Sequence, residues 1–123
     1  MVQDGGLPHL GSDRICCEDF EQNRYVTSVM LINNETNESY LFDASPDINK
    51  QLNFMGKRIK KNLKGIFLTH AHIGHYTGLM YFGREALNSK LMNVYAMPRM
   101  KKFLEQMDHG VNWFLYKIFQ LQN

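Results

Sequence analysis

Three histidines stand close together in the chain, His70, His72 and His75, at the spacing i, i+2 and i+5. Histidine is the commonest metal-binding side chain, and neutral imidazole suits zinc or iron. Residues i and i+2 of an extended segment share a face, so His70 and His72 can point the same way. His75 can approach from the other side. The spacing predicts two or three ligands of one metal, or ligands of two adjacent metals; the alternative is a surface turn that is merely rich in histidine.

The elements around the histidines predict a strand-to-helix turn. An apolar run at residues 65–68 precedes them and is typical of a buried strand. The apolar positions that follow, as far as Leu87, predict a helix over residues 76–88. Open α/β sheets bind their ligands at the carboxyl ends of strands, which is where this turn would place the imidazoles.

A carboxylate, Asp43, ends another predicted strand. Residues 25–32 and 39–42 predict two strands, and the polar turn between them predicts a β-hairpin. Asp43 directly follows the second strand, close to where a sheet would present a site. On the residues alone, it is either a site carboxylate or an ordinary cap or turn carboxylate.

The remaining pattern predicts an α/β domain. Ser45 and Pro46 predict the N-cap and first position of a helix that runs to about residue 55. Residues 91–97 predict a strand and residues 100–107 a helix, followed by a turn that contains His109. Residues 111–121 predict a core-facing apolar segment. The order β-β-α-β-α-β-α is typical of a layered α/β domain spanning residues 1–123.

Four motifs resemble one family. The segment from Thr69 to His75 resembles the His-x-His-x-Asp-His signature of the metallo-β-lactamase fold, and more narrowly the branch containing pyrroloquinoline quinone biosynthesis protein B. Residues 3–11 resemble the first loop of that branch, and residues 41–44 resemble the strand-end Asp of the fold. Residues 94–100 resemble the strand after the histidine helix. The resemblance implies the N-terminal half of an αββα metallo-β-lactamase-like sandwich, with the C-terminal half absent.

The resemblance also implies roles for the site residues. His70 and His72 would bind a first metal, His75 would bind a second metal or support the first, and Asp43 would orient the metal loop. Gly74 stands where the family has its Asp, and glycine cannot ligate. One zinc ion is therefore expected rather than two, with iron and redox chemistry as the alternative.

The expected activity is that of a metal-dependent hydrolase. Zinc would lower the pKa of bound water so that hydroxide attacks an ester, amide or lactone substrate. The alternative is a truncated, non-catalytic chain or interaction module with an incomplete metal site, self-associating through the exposed face of the half-sandwich. A nuclease is a third hypothesis, because residues 57–64 form a basic cluster; without aromatic interleaving, solvated lysines are favoured.

Composition sets broad limits. The chain has 123 residues, 44% of them hydrophobic, and a net charge of +2. These values favour one folded domain and no particular partner. The apolar runs are too short to cross a bilayer, so no membrane partner is expected. The solvated lysines predict no nucleic-acid partner, and the family resemblance implies a small-molecule substrate. Cys16 and Cys17 are adjacent, so they are expected to be reduced thiols, with binding of a structural metal as the alternative. Reduced thiols fit a cytoplasmic location, which is expected. His9 is expected to be either a solvated loop histidine or a neighbour of the histidine cluster.

Overall fold

The computed structural model describes residues 25–56, 62–83, 91–111 and 119–122; of residues 108–111 and 119 it describes the backbone. The predictions for His9, Cys16, Cys17 and residues 57–61 lie outside these ranges.

The described residues form one five-stranded sheet with helices between its strands. The strands are β1 (Val29–Ile32), β2 (Ser39–Phe42), β3 (Leu63–Leu68), β4 (Met92–Ala96) and β5 (Phe119–Gln122), in that spatial order. β1 pairs with β2 antiparallel, and the other pairs are parallel. The helices are α1 (Ile48–Phe54), α2 (Ile73–Tyr76), a 3₁₀ helix (Thr77–Phe82) and α3 (Pro98–Val111). The predicted α/β class is confirmed.

One face of the sheet carries the hydrophobic core. Leu41, Ile66 and Val94 occupy the centres of three neighbouring strands and are buried. The helices and the 3₁₀ helix cover them with apolar side chains spaced for one helical face. These covering residues are Ile48, Leu52, Leu79, Phe82, Met100 and Leu104.

The opposite face of the sheet is aromatic. Phe67 stacks between Phe42 and Tyr95, with ring centroids 5.0 and 4.4 Å apart. All three rings are half-buried. Val29 lies opposite Phe42 and Leu31 opposite Tyr40 in the β1–β2 register, so both belong to this face, and each is 60% exposed. An apolar surface therefore crosses four strands on the side away from the core.

The predicted hairpin and helix α1 form with changed limits. β2 and the antiparallel β1–β2 pairing are as predicted, but β1 begins at Val29 rather than at residue 25. α1 begins two residues later than predicted, after Asp47. The Ser45 hydroxyl accepts the Asp47 N–H at 3.1 Å and donates to the Gln51 side chain at 2.8 Å, which builds a turn before the helix instead of the predicted N-cap.

Three predictions in the second half are corrected. The helix predicted over residues 76–88 begins earlier, at Ile73, and changes to 3₁₀ geometry at Thr77. α3 runs through residues 108–110, which were predicted to form a turn. The apolar segment predicted at residues 111–121 ends in a fifth strand, β5, which extends to Gln122, and Leu121 packs against the core.

Candidate metal centre

Two neighbouring parallel strands bring the site residues to one edge of the sheet. β2 and β3 run side by side with Phe42 opposite Phe67, so their carboxyl ends meet. Asp43 follows β2, and the histidine loop follows β3. The Asp43 N–H donates to the Phe67 carbonyl at 2.8 Å, which joins the two strand ends directly. This is the edge at which parallel sheets place their ligands.

Asp43 has an uncommon backbone conformation. Its φ is +64°, a left-handed region that costs a non-glycine residue about 1–3 kcal/mol. Two hydrogen bonds hold the chain there: the Ala44 N–H donates to the His75 carbonyl at 2.8 Å, and the Ser28 hydroxyl donates to the Asp43 carbonyl at 2.8 Å. The strained turn aims the carboxylate at the histidine loop.

The carboxylate of Asp43 binds two residues of that loop. Oδ1 accepts the Thr69 backbone N–H at 2.8 Å, and the Thr69 hydroxyl lies 3.0 and 2.8 Å from the two carboxylate oxygens. Nδ1 of His75 lies 2.7 Å from Oδ2. Asp43 and His75 are buried, with 6% and 7% of their surfaces exposed. A carboxylate only accepts, so Nδ1 of His75 carries a proton, and in the neutral ring Nε2 has the lone pair.

His70 and His72 face each other at the surface. Nε2 of His70 lies 3.0 Å from Nδ1 of His72, and the His70 ring centroid lies 3.9 Å from that of His75. Two nitrogens bound to one tetrahedral zinc at the usual bond length would be about 3.3 Å apart. The observed separation is close to that value. The distance between the two nitrogens is therefore compatible with two corners of a tetrahedral site.

His70 favours the neutral form that metal binding requires. Burial of part of its ring lowers the pKa of His70 below the ordinary value, the neighbouring His75 and His72 lower it further, and Asp43 opposes the shift. The imidazole therefore loses its proton at a lower pH than a free histidine would. At neutral pH it has a lone pair to offer.

The structure brings together the four predicted site residues, Asp43, His70, His72 and His75. Gly74 lies in α2 and contributes no side chain. Within the described ranges, no three His, Cys, Asp or Glu side chains are arranged to hold one metal ion. His70 and His72 place two ring nitrogens 3.0 Å apart, while Nδ1 of His75 faces Asp43.

Sequence reasoning missed the hydroxyl of Thr69. It lies within 3.0 Å of both Asp43 oxygens and 2.9 Å from Nδ1 of His70, so it connects the carboxylate to the exposed imidazole. A threonine directly before a predicted ligand was the only signal in the sequence.

Changing Asp43 to asparagine should destabilise the protein. Three donors converge on the carboxylate, and the amide group would present a fourth donor to them while still tolerating the left-handed backbone. We expect the free energy of unfolding, measured by urea titration, to fall by about 1–3 kcal/mol. The matched control is Glu35→Gln, the same chemical change in an exposed turn, which should shift stability by less than about 0.5 kcal/mol. Equal effects of the two variants would contradict this account of Asp43.

Sequence comparison identifies a family and two named relatives. The family model that matches is described as the metallo-beta-lactamase superfamily, and it covers residues 23–114. Two proteins named Ribonuclease Z, from two strains of Treponema pallidum, are each 30% identical over 86 residues. Each match covers 68% of this chain and 27% of the relative, so the chain spans about a quarter of their length.

Solved structures share the fold. Zinc-bound PqqB from Methylobacterium extorquens is similar over 98% of this chain and 42% of its own, with 17% identity and a TM-score of 0.67. A diphosphatase of the PhnP family matches 99% of this chain and 46% of its own, with 21% identity and a TM-score of 0.61. The short form of human tRNase Z matches 77% and 36%, with 22% identity and a TM-score of 0.55.

Proposed function

The chain belongs to the metallo-beta-lactamase superfamily, and we propose on that premise that it is a metal-dependent hydrolase whose metal is held by the histidine loop. The observation that carries the proposal is the 3.0 Å approach of Nε2 of His70 to Nδ1 of His72, beside a buried Asp43–His75 pair. Residues 1–123 would form part of a larger domain, since longer relatives match over a fraction of their length.

His70 and His72 would hold one zinc ion, and His75 would be either a further ligand or a hydrogen-bonding neighbour. Asp43 would keep the loop in place, because it binds the backbone and side chain of Thr69 and the ring of His75. Gly74 leaves the loop without a carboxylate for a second ion, so we propose one zinc rather than two, with iron as the alternative. Zinc bound there would supply the Lewis acidity that activates water for hydrolysis.

The proposed substrates are small molecules with an ester, amide or lactone bond. A second class is favoured by one observation: two relatives at 30% identity carry the name Ribonuclease Z. The prediction of no nucleic-acid partner is therefore not confirmed, and an RNA phosphodiester is the second candidate. Lys64 of the basic cluster lies 3.6 Å from Glu38, which neutralises part of the charge a phosphate would need.

The competing proposal is a non-catalytic chain that associates through the aromatic face of the sheet. Val29 and Leu31 are exposed on that face beside the stacked rings, and an apolar surface of this kind favours contact with a second copy or another layer. Among the described residues, none belongs to a helix long and apolar enough to cross a membrane.

A hydrolysis panel tests the proposed function. The purified chain, loaded with zinc, is offered a p-nitrophenyl ester, a chromogenic lactone and bis(p-nitrophenyl) phosphate, each with and without a chelator. We expect chelator-sensitive hydrolysis of the ester or lactone, because activation of water depends on the bound ion. Selective hydrolysis of the phosphate diester would favour the nuclease class. No hydrolysis together with a dimer in sedimentation equilibrium would contradict the enzyme proposal and favour association.

A further inference from the structure

We propose that Thr69 is a positioning residue for His70. Its hydroxyl donates to Asp43 and accepts from Nδ1 of His70, which fixes the His70 imidazole as the tautomer whose Nε2 carries no proton. This inference rests on the proposed function in one respect, which is that the unprotonated Nε2 of His70 binds the proposed metal ion. It rests on the chain of contacts from the Asp43 carboxylate to the Thr69 hydroxyl, at 2.8 Å, and on to Nδ1 of His70, at 2.9 Å.

The direction of each hydrogen bond follows from the donors available. A carboxylate only accepts, so the single hydroxyl proton of Thr69 must point at Asp43, whose two oxygens lie 3.0 and 2.8 Å away. The hydroxyl oxygen then has lone pairs and no proton for His70. Nδ1 of His70 must therefore be the donor, and in a neutral ring Nε2 is left without a proton.

The same carboxylate acts on His75 directly. Nδ1 of His75 lies 2.7 Å from Oδ2 of Asp43, so this ring also carries its proton on Nδ1. One buried carboxylate thus sets the tautomers of two histidines, one by contact and one through Thr69. Fixing a ligand imidazole through the hydrogen bond on its other nitrogen is how neighbouring groups support metal sites.

His72 differs from the other two histidines. The bare Nε2 of His70 can only accept, so in the metal-free chain Nδ1 of His72 donates to it across 3.0 Å. For both nitrogens to face one ion, the proton of His72 must leave Nδ1 and a proton must be taken up at Nε2. His72 is exposed, so water can carry out this exchange with no net change in proton number. Metal binding should therefore change the tautomer of His72 alone.

The substitution that isolates the relay is Thr69→Val, with Thr69→Ser as the matched control. Valine keeps the branched shape and the backbone N–H that Asp43 accepts, but it removes the hydroxyl; serine restores the hydroxyl. Long-range ¹H–¹⁵N correlation spectra of the imidazoles report the tautomer of each histidine in the metal-free chain. They are recorded at about pH 8, where an unperturbed histidine is neutral.

We expect His70 to be a single Nδ1–H tautomer in the wild type and in Thr69→Ser, and a mixture in Thr69→Val. His75 should not change in any of the three proteins, because its contact with Asp43 is direct, and its unchanged signal also shows that Thr69→Val is folded. An unchanged Nδ1–H tautomer of His70 in Thr69→Val would overturn the proposal.

Zinc titration supplies the second readout. We expect Thr69→Val to bind zinc about tenfold to a hundredfold more weakly than wild type, with Thr69→Ser close to wild type. If the wild-type chain binds zinc and the valine and serine variants bind it with equal affinity, the positioning role of Thr69 is contradicted. If His70 changes tautomer in Thr69→Val but no chain binds zinc, the relay stands and the proposed hydrolase function fails. The tautomer spectra and the zinc titration therefore test the role of Thr69 and the proposed hydrolase function separately.

Discussion

Replacing both His70 and His72 by alanine is expected to lower the zinc content of the purified chain from about one ion to almost none. The two side chains offer the pair of nitrogens, 3.0 Å apart, that fits one tetrahedral ion, and alanine removes both. Native mass spectrometry or elemental analysis measures the ratio of metal to chain. Because both residues are exposed, the double variant should fold, and far-ultraviolet circular dichroism should match the wild type.

His109→Ala provides the matched control. It removes one histidine that lies outside the loop in sequence, so the zinc content should remain close to the wild-type value. If the double variant keeps its zinc, the ion is bound elsewhere, and Cys16 and Cys17 would be the first residues to replace. If the wild type also holds no zinc, two converging imidazoles are insufficient in this chain, and the non-catalytic proposal gains support.

The fold class and the family could be predicted from the sequence because their signals are local. β2 is a short, mainly apolar segment between a polar turn and Asp43, and the first of the three histidines follows two residues after β3 ends. The membership of the metallo-beta-lactamase superfamily is confirmed by the match over residues 23–114. The fifth strand was missed because a short apolar and aromatic segment does not by itself distinguish a strand from a buried helix.

Element boundaries were wrong where side chains or neighbours compete with local preference. Ser45 was predicted to cap α1, but its hydroxyl binds Gln51 and the Asp47 N–H, so the helix begins later. The Asp-His-Gly segment at residues 108–110 contains typical turn residues, yet it continues α3, since helix propensity is a weak preference that the surrounding structure overrides.

The contacts of the candidate site could be predicted only in part. The sequence places His70, His72 and His75 on one loop, but Asp43 and His75 are 32 residues apart and meet because β2 and β3 are neighbours. That neighbour relation, together with the left-handed turn at Asp43, decides which nitrogen of His75 is protonated. The role of the Thr69 hydroxyl depends on a carboxylate 26 residues away, so no local pattern could reveal it.

The second large effect is expected from Gly78→Ala, which should destabilise the protein by at least about 3 kcal/mol. A Cβ at this position would overlap with the Ser45 carbonyl oxygen and lie 2.8 Å from the Ala44 carbonyl group. These are backbone atoms, so no side chain can turn aside to make room. The Gly78 N–H also donates to the Ala44 carbonyl at 2.9 Å, which holds the 3₁₀ helix against this turn.

The displaced turn would carry Asp43 with it, so Gly78→Ala should weaken zinc binding as well as stability. Urea titration gives the free energy of unfolding, and zinc titration of the folded fraction gives the affinity. Gly56→Ala is the matched control: its φ is +79°, but no atom of the described residues lies within 4 Å of a Cβ there, so it should cost only the backbone strain, about 1–2 kcal/mol. Equal losses of unfolding free energy in Gly78→Ala and Gly56→Ala would mean that the turn at Ala44 and Ser45 moves easily to make room for the added methyl group. Close contact with the 3₁₀ helix would then not be what holds Asp43 in position.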